Sequence, residues 1–307
     1  MTFEGLPRTM DALYAEAERL NTTPGWVKRE NPIFWKEPKT DFVPCHWSYA
    51  EVRTVLEQAN SVIPLEMAER RNLVLRNPFP GNNFETTRTA ACAYQAILPG
   101  EAAPSHRHSA HALRVIIEAT GTYSIVNGER TPMESGDVIL TPGGYWHGHG
   151  HDGDDPAFWM DGLDIPLMHL LEPMFFEEHT AQFEAIEKVT RSSRFRFSAD
   201  EIRRLLDQAT RHPEGAHGPR VQLDTPDMPS MGLYVQRLES GVQTRRMRST
   251  VNRVIVVMEG HGKTHTRSDD ITWAPGDTLA LPMWQAFTHR AHSDAVLFEY
   301  NDEPLMR

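Results

Sequence analysis

Gly136-Asp137-Val138-Ile139-Leu140-Thr141-Pro142 returns further along the chain as Gly276-Asp277-Thr278-Leu279-Ala280-Leu281-Pro282. Each copy opens on a Gly-Asp turn, runs through a short apolar stretch and stops at a proline. The neighbours match as well. Ile117-Glu118-Ala119-Thr120-Gly121 answers to Met258-Glu259-Gly260-His261-Gly262, and Tyr94-Gln95 before Pro99-Gly100 answers to Tyr234 to Gln236 before Ser240-Gly241. Self-similarity at constant internal spacing marks one structural unit used twice. Inside the first copy, short β-like runs (Ala91-Leu98, Leu113-Ala119, Thr122-Val126, Val138-Thr141, Ala157-Leu163) alternate with turns. Asn127-Gly128 is a two-residue hairpin signal, because both central positions of such a turn need φ > 0. Repeated short strands at this spacing predict a mainly β protein built on a duplicated barrel.

The flanks organise around these units. Residues 1–85 read as a helical N-terminal arm, with helices over Thr9–Leu20 and Tyr49–Asn60 and Ser48 as an N-cap. The first barrel spans 86–176. Residues 177–228 read as a linker containing one helix, Ile202 to Thr210, capped by Ser198, and then a proline-rich and glycine-rich stretch. The second barrel covers 229–307. A chain of 307 residues has room for two such domains.

Charge narrows the function classes. Lys and Arg total 31 against 42 Asp and Glu, a formal net charge of −11. Neutralising phosphates needs a basic face, so a nucleic-acid partner is not expected. No stretch approaches the roughly 18 apolar residues of a membrane span, and Met1-Thr2-Phe3-Glu4-Gly5 lacks the basic-then-apolar opening of a signal peptide. Two cysteines, Cys45 and Cys92, make no disulfide framework and suit a reducing cytoplasm. Histidine is the outlier, at 15 residues unevenly spread.

His106-Arg107-His108 is a His-x-His pair, and Tyr145-Trp146-His147-Gly148-His149-Gly150-His151 repeats the alternation. On a strand, residues i and i+2 share a face, so both imidazoles of a pair reach one point. A third from the second cluster completes a facial set of three nitrogen ligands and leaves coordination positions open. The second unit has Met247, Ser249 and Phe287 at the corresponding places, so it cannot bind metal in this way. Its His289 and His292 have no partners at ligand spacing.

These residues resemble a known pattern. Gly100 ahead of His106 and His108 resembles the first cupin motif, and Gly136-x5-Pro142-x-Gly144-x2-His147 resembles the second, with His151 where that motif usually has Asn. The glutamate of the common cupin site should fall near Ala112 or Leu113 and is absent, which points to the three-histidine cupins. With Ala68-Glu69-Arg70-Arg71, His106 through Arg114, Gly128-Glu129-Arg130-Thr131-Pro132-Met133 and Trp159 through Pro166, the chain resembles the gentisate 1,2-dioxygenase and salicylate 1,2-dioxygenase family over nearly its whole length.

That resemblance implies a bicupin, two jelly-roll β-barrels with a helical N-terminal arm and a helical inter-domain linker, and it implies the chemistry as well: Fe(II) held by His106, His108 and His147, chelation of a 2-hydroxybenzoate, and O2 cleaving the ring between the carboxyl-bearing and hydroxyl-bearing carbons. It implies Arg114 and Arg70 as cations for the substrate carboxylate, Gln95 as a pocket hydrogen-bonding residue, and Asp161 as the carboxylate orienting a ligand histidine. Alternatives stand beside each: a solvated rim charge for either arginine, a satisfied core amide for Gln95, structural hydrogen bonding for Asp161. His149, on the face of His147, is the expected proton acceptor. Ala110, His111 and Gly148 stand where gentisate enzymes usually have Gln, Asn and Asp. His111 and Gly148 are therefore candidates for retuning the pocket from gentisate toward 5-nitrosalicylate, 5-aminosalicylate or 1-hydroxy-2-naphthoate. The family further implies a homotetramer. A non-catalytic binding bicupin and a zinc or manganese sugar isomerase are the competing classes.

Overall fold

The computed structural model describes residues 9–27, 32–64, 67 and 71–307. The chain forms two compact units, Met1–Lys39 and Thr40–Arg307. In the first, the helix Met10–Arg19 starts at Thr9, whose side chain accepts a hydrogen bond from the Ala12 N–H. None of its side chains is buried.

The second unit holds four sheets among the described residues. One runs Arg196–Phe197, Val138–Thr141, Ala112–Glu118, Ala157–Leu163, Ala91–Ile97, Arg71–Val74 in spatial order. Another runs Cys45–Trp47, Thr278–Leu281, Arg253–Glu259, Ala295–Asn301, Gly232–Leu238, Arg220–Gln222. The two follow one plan, strand for strand. Two further sheets close the barrels: Phe176–Glu178, Ala102–His108, His147–His151, Thr122–Val126, Glu129–Met133, Lys188–Val189 in the first, and Asp270–Trp273, Gly262–His265, Thr288–Ala291 in the second. The Asn127-Gly128 hairpin forms as expected, with φ of 49° and 78°.

Side-chain alternation explains why the strands of the two matching sheets are apolar on both faces. On Arg253–Glu259, Val254 and Val256 join a core that also contains Tyr94, Leu113, Val115 and Phe158 of the first barrel. Ile255 and Val257 join the interior of the second barrel with Trp273, Leu279 and Leu297. The first barrel likewise has its own interior cluster, including Ile116, Ile139 and Trp159. Two barrels thus share a third core between them, and each shared strand is buried twice.

The duplication is wider than the barrels. The segment read as a helical arm contributes strands Cys45–Trp47 and Arg71–Val74, and the segment read as a linker contributes Arg196–Phe197 and Arg220–Gln222 at the matching sheet positions. Each flank crosses over: Cys45–Trp47 pairs with a strand of the second barrel, Arg196–Phe197 with one of the first. His46 meets Asp277 at 2.8 Å, and Arg196 meets Asp137 at 2.7 Å. The two aspartates of the opening motif also accept from the main chain at equivalent helix starts, Tyr49 N–H on Asp277 and Ala199 N–H on Asp137. Periodicity could not show this, because strands of two to four residues are too short to carry a pattern.

Candidate metal centre and substrate cavity

His106 and His147 face each other across neighbouring antiparallel strands, where the ladder shifts register between Ala103 and His106. With His108 they place one ligand atom each within 4.8 Å of one another, all three residues buried. Every Nδ1 is held by the main chain: His106 to the Pro104 carbonyl (3.1 Å), His108 to that of Ala110 (2.7 Å), His147 to that of Tyr145 (3.0 Å). A carbonyl only accepts, so each Nδ1 carries the proton and each Nε2 presents a lone pair. The His147 Nε2 is buried with no hydrogen-bond partner among the described residues. Burial first, then the closeness of the His106 ring and the Arg114 guanidinium, pushes the His147 pKa well below the ordinary value. Three neutral imidazoles with converging lone pairs are a donor set that fits a divalent metal ion.

The centre opens into a cavity of about 340 Å³. Arg114 lies on its wall, buried, its Nε 3.2 Å from Asp161 Oδ1 and its Nη1 donating to Thr141 Oγ1 at 2.5 Å. Asp161 stands directly opposite on the next strand and also accepts from the Trp159 indole N–H at 3.0 Å. Gln95 is buried beside them and lines the same cavity. Parity accounts for the set, since Gln95, Arg114 and Asp161 share the inward face with Ala93 and Trp159.

The structure places the other expected residues as follows. The carbonyls, not Asp161, hold the ligand histidines, and Asp161 holds Arg114 and Trp159. His149 shares the buried face of His147, with ring centroids 6.3 Å apart, and its ring lies 5.9 Å from that of Trp159. Gly148 points away from the barrel interior, and a Cβ there would meet Ser105 Oγ at 2.9 Å. His111 does not line the cavity; its Nδ1 accepts the Gly143 N–H at 2.8 Å. Arg70 lies outside the described residues. His151 is structural, donating from Nε2 to the Asp155 carbonyl while Thr122 donates to its Nδ1.

Several lining residues were not anticipated. Asn72, Phe84 and Met174 line the cavity, and Phe176 stacks on His106 at 5.2 Å. They come from the chain ahead of the barrel and from its last residues, brought to its mouth by folding. In the second barrel, Met247 and Phe287 pair just as His106 and His147 do, and fill the space with apolar side chains.

Residues 93–165 match the cupin domain family. The gentisate 1,2-dioxygenase 1 of Aquipseudomonas alcaligenes is 33% identical, over 94% of this chain and 91% of that protein. The chain belongs to the gentisate and salicylate 1,2-dioxygenase family. It is also 32% identical to the 5-aminosalicylate 1,2-dioxygenase of a Comamonas species, over 97% of this chain and 88% of that one. The crystal structure of salicylate 1,2-dioxygenase from Pseudoaminobacter salicylatoxidans as an adduct with gentisate superposes with a TM-score of 0.85 at 26% identity, covering 100% of this chain and 94% of that one. This ring-cleaving dioxygenase is a bicupin, as its sequence implied. Among its described residues no helix is long and apolar enough to cross a membrane.

Proposed function

We propose that the protein cleaves the ring of a 2-hydroxybenzoate with O2, between the carboxyl-bearing and hydroxyl-bearing carbons, at an Fe(II) centre. The observation that carries this reading is a buried cluster of three imidazoles, two of which line an apolar-walled cavity together with one arginine. His106, His108 and His147 would hold the iron, which supplies when bound the redox chemistry linking an electron-rich ring to dioxygen. Arg114 recognises the carboxylate, and an arginine already fixed by Asp161 and Thr141 loses little freedom in doing so. Gln95 supplies a neutral hydrogen-bonding group nearby. Ala93, Leu163, Ile165 and Phe176 give the ring an apolar wall and keep bulk water off the reacting face. That wall favours an aromatic ring over the sugar of an isomerase.

The relatives named above act on gentisate, 5-aminosalicylate and salicylate, which makes substituted salicylates the substrate class to test. The experiment is oxygen uptake by protein loaded anaerobically with iron, across salicylate, gentisate, 5-nitrosalicylate, 5-aminosalicylate and 1-hydroxy-2-naphthoate. Uptake with at least one, giving a ring-opened acid, is the expected result. No uptake with any, by protein shown to contain iron, overturns the reading. A homotetramer in a reducing cytoplasm goes with this function, and light scattering tests the assembly.

A further inference from the structure

His111 belongs to a hydrogen-bonded chain that the molecule builds twice. In the first barrel, Ser230 Oγ donates to Asp164 Oδ2 (2.5 Å), the His111 N–H donates to Asp164 Oδ1 (2.8 Å), and the Gly143 N–H donates to His111 Nδ1 (2.8 Å). In the second, Thr89 Oγ1 donates to Asp302 Oδ2 (2.8 Å), the Asn252 N–H donates to Asp302 Oδ1 (2.8 Å), and the Met283 N–H donates to Asn252 Oδ1 (3.1 Å). All four positions correspond under the internal repeat. Gly143 and Met283 each follow the proline of the opening motif, and Gly144 and Trp284 each take a left-handed φ, 80° and 64°. These two donate at 2.7 Å to the carbonyls of His108 and Ser249 respectively.

We infer that His111 is a positioning residue for the metal centre, acting through Gly143 on the turn that carries His147. The turn leaves Thr141, which holds Arg114, passes Gly143 and Gly144, and enters the strand at His147. It is fastened at three points: His111 on Gly143, the His108 carbonyl on Gly144, and the tight approach of Gly143 to the Ser109 carbonyl, with which any Cβ would collide. Two of the three fastenings lie within the run that bears His106 and His108, so the turn registers His147 against the other two ligands. The far end of the chain is Ser230, just ahead of the strand Gly232–Leu238 of the second barrel, whereas Thr89, just ahead of the strand Ala91–Ile97 of the first, clamps the aspartate of the second. Each barrel therefore braces its partner's turn. Burial pushes the His111 pKa down, the direction that suits a ring accepting the Gly143 N–H at Nδ1.

The inference rests on the three-histidine metal centre proposed above, and its test separates the two. Apo-protein is titrated with Co(II), read by the visible ligand-field bands, beside a thermal melt. Wild type that binds no Co(II) at this centre fails the metal reading itself. With wild-type binding in hand, His111→Ala is expected to weaken Co(II) affinity about tenfold or more, in line with loss of a ligand-orienting contact. His111→Asn, which installs the side chain the second barrel already uses at this place, should restore affinity to within about threefold of wild type. Ser230→Ala should weaken it in the same direction but less. Asn252→Ala, the matching change in the metal-free barrel, should lower Tm and leave Co(II) affinity unchanged. Affinity unmoved in His111→Ala and Ser230→Ala, or His111→Asn no better than His111→Ala, overturns the inference.

Discussion

His106, His108 and His147 each give the Nδ1 proton to a main-chain carbonyl two residues away. The main chain thereby fixes both tautomer and ring plane without spending a side chain on either. Arg114 is treated differently, through Asp161 and Thr141, because a buried guanidinium needs a counter-charge. Replacing Arg114 with Gln removes the charged hydrogen bonds to a substrate carboxylate, worth about 1.5–3 kcal/mol. Steady-state oxygen uptake should show kcat/KM falling about 10- to 100-fold, mostly through KM. His289 makes the opposite kind of prediction. Burial pushes its pKa from 6.5 to about 4, and Thr264 is bonded to its Nδ1 at 2.8 Å. The folded state therefore resists protonation that the unfolded chain accepts. Stability from this group is intact above about pH 6.5 and is lost as pH falls toward 4, by roughly 3 kcal/mol. Urea denaturation across that range should show a flatter pH dependence for His289→Asn than for wild type.

At the scale of the element, the strand His147–His151 alternates imidazole and glycine for two separate reasons. The imidazoles point inward. The glycines face the other way, where Gly148 lies under Ser105 at the irregularity of the neighbouring strand and Gly150 lies against the Tyr123 ring. A side chain at 148 must displace Ser105, whose Oγ accepts the Glu184 N–H. Gly148→Asp is therefore expected to lower stability by about 1–3 kcal/mol. It should leave the ranking of salicylates in the oxygen-uptake panel unchanged. A changed ranking would return Gly148 to the substrate pocket.

Taken as a whole molecule, the two barrels are joined by a core as well as by crossed flanks. Tyr94, fully buried, reaches across to the Gly276 carbonyl (2.6 Å) and to Thr278 (2.8 Å). Losing that hydroxyl in Tyr94→Phe should cost about 1–3 kcal/mol, because the acceptors on the second barrel stay buried. Shared packing of this kind also predicts that residues 40–307 unfold as one cooperative unit. Circular dichroism and tryptophan fluorescence should give coincident denaturation curves, and two separated transitions would contradict the prediction.

The duplicated barrel and the ligand set were legible in the sequence because each has a local signature. Strand parity puts His106 with His108, the Gly-Asp turns announce the repeat, and Met247 and Phe287 show where the second copy lost its ligands. Strand parity put Arg114 on the same face as the ligands, while its role, and the places of Gln95 and Asp161, followed only from the family resemblance. What His111, His149 and Gly148 do was not legible, since parity and proximity in sequence do not say how deep in a barrel a side chain lies or which main-chain group it meets. The crossed flanks and the cavity mouth were hidden for a related reason. Strands such as Cys45–Trp47 and lining residues such as Phe84 and Phe176 acquire their places only from partners far away in the chain, so their meaning exists only once the two halves have packed together.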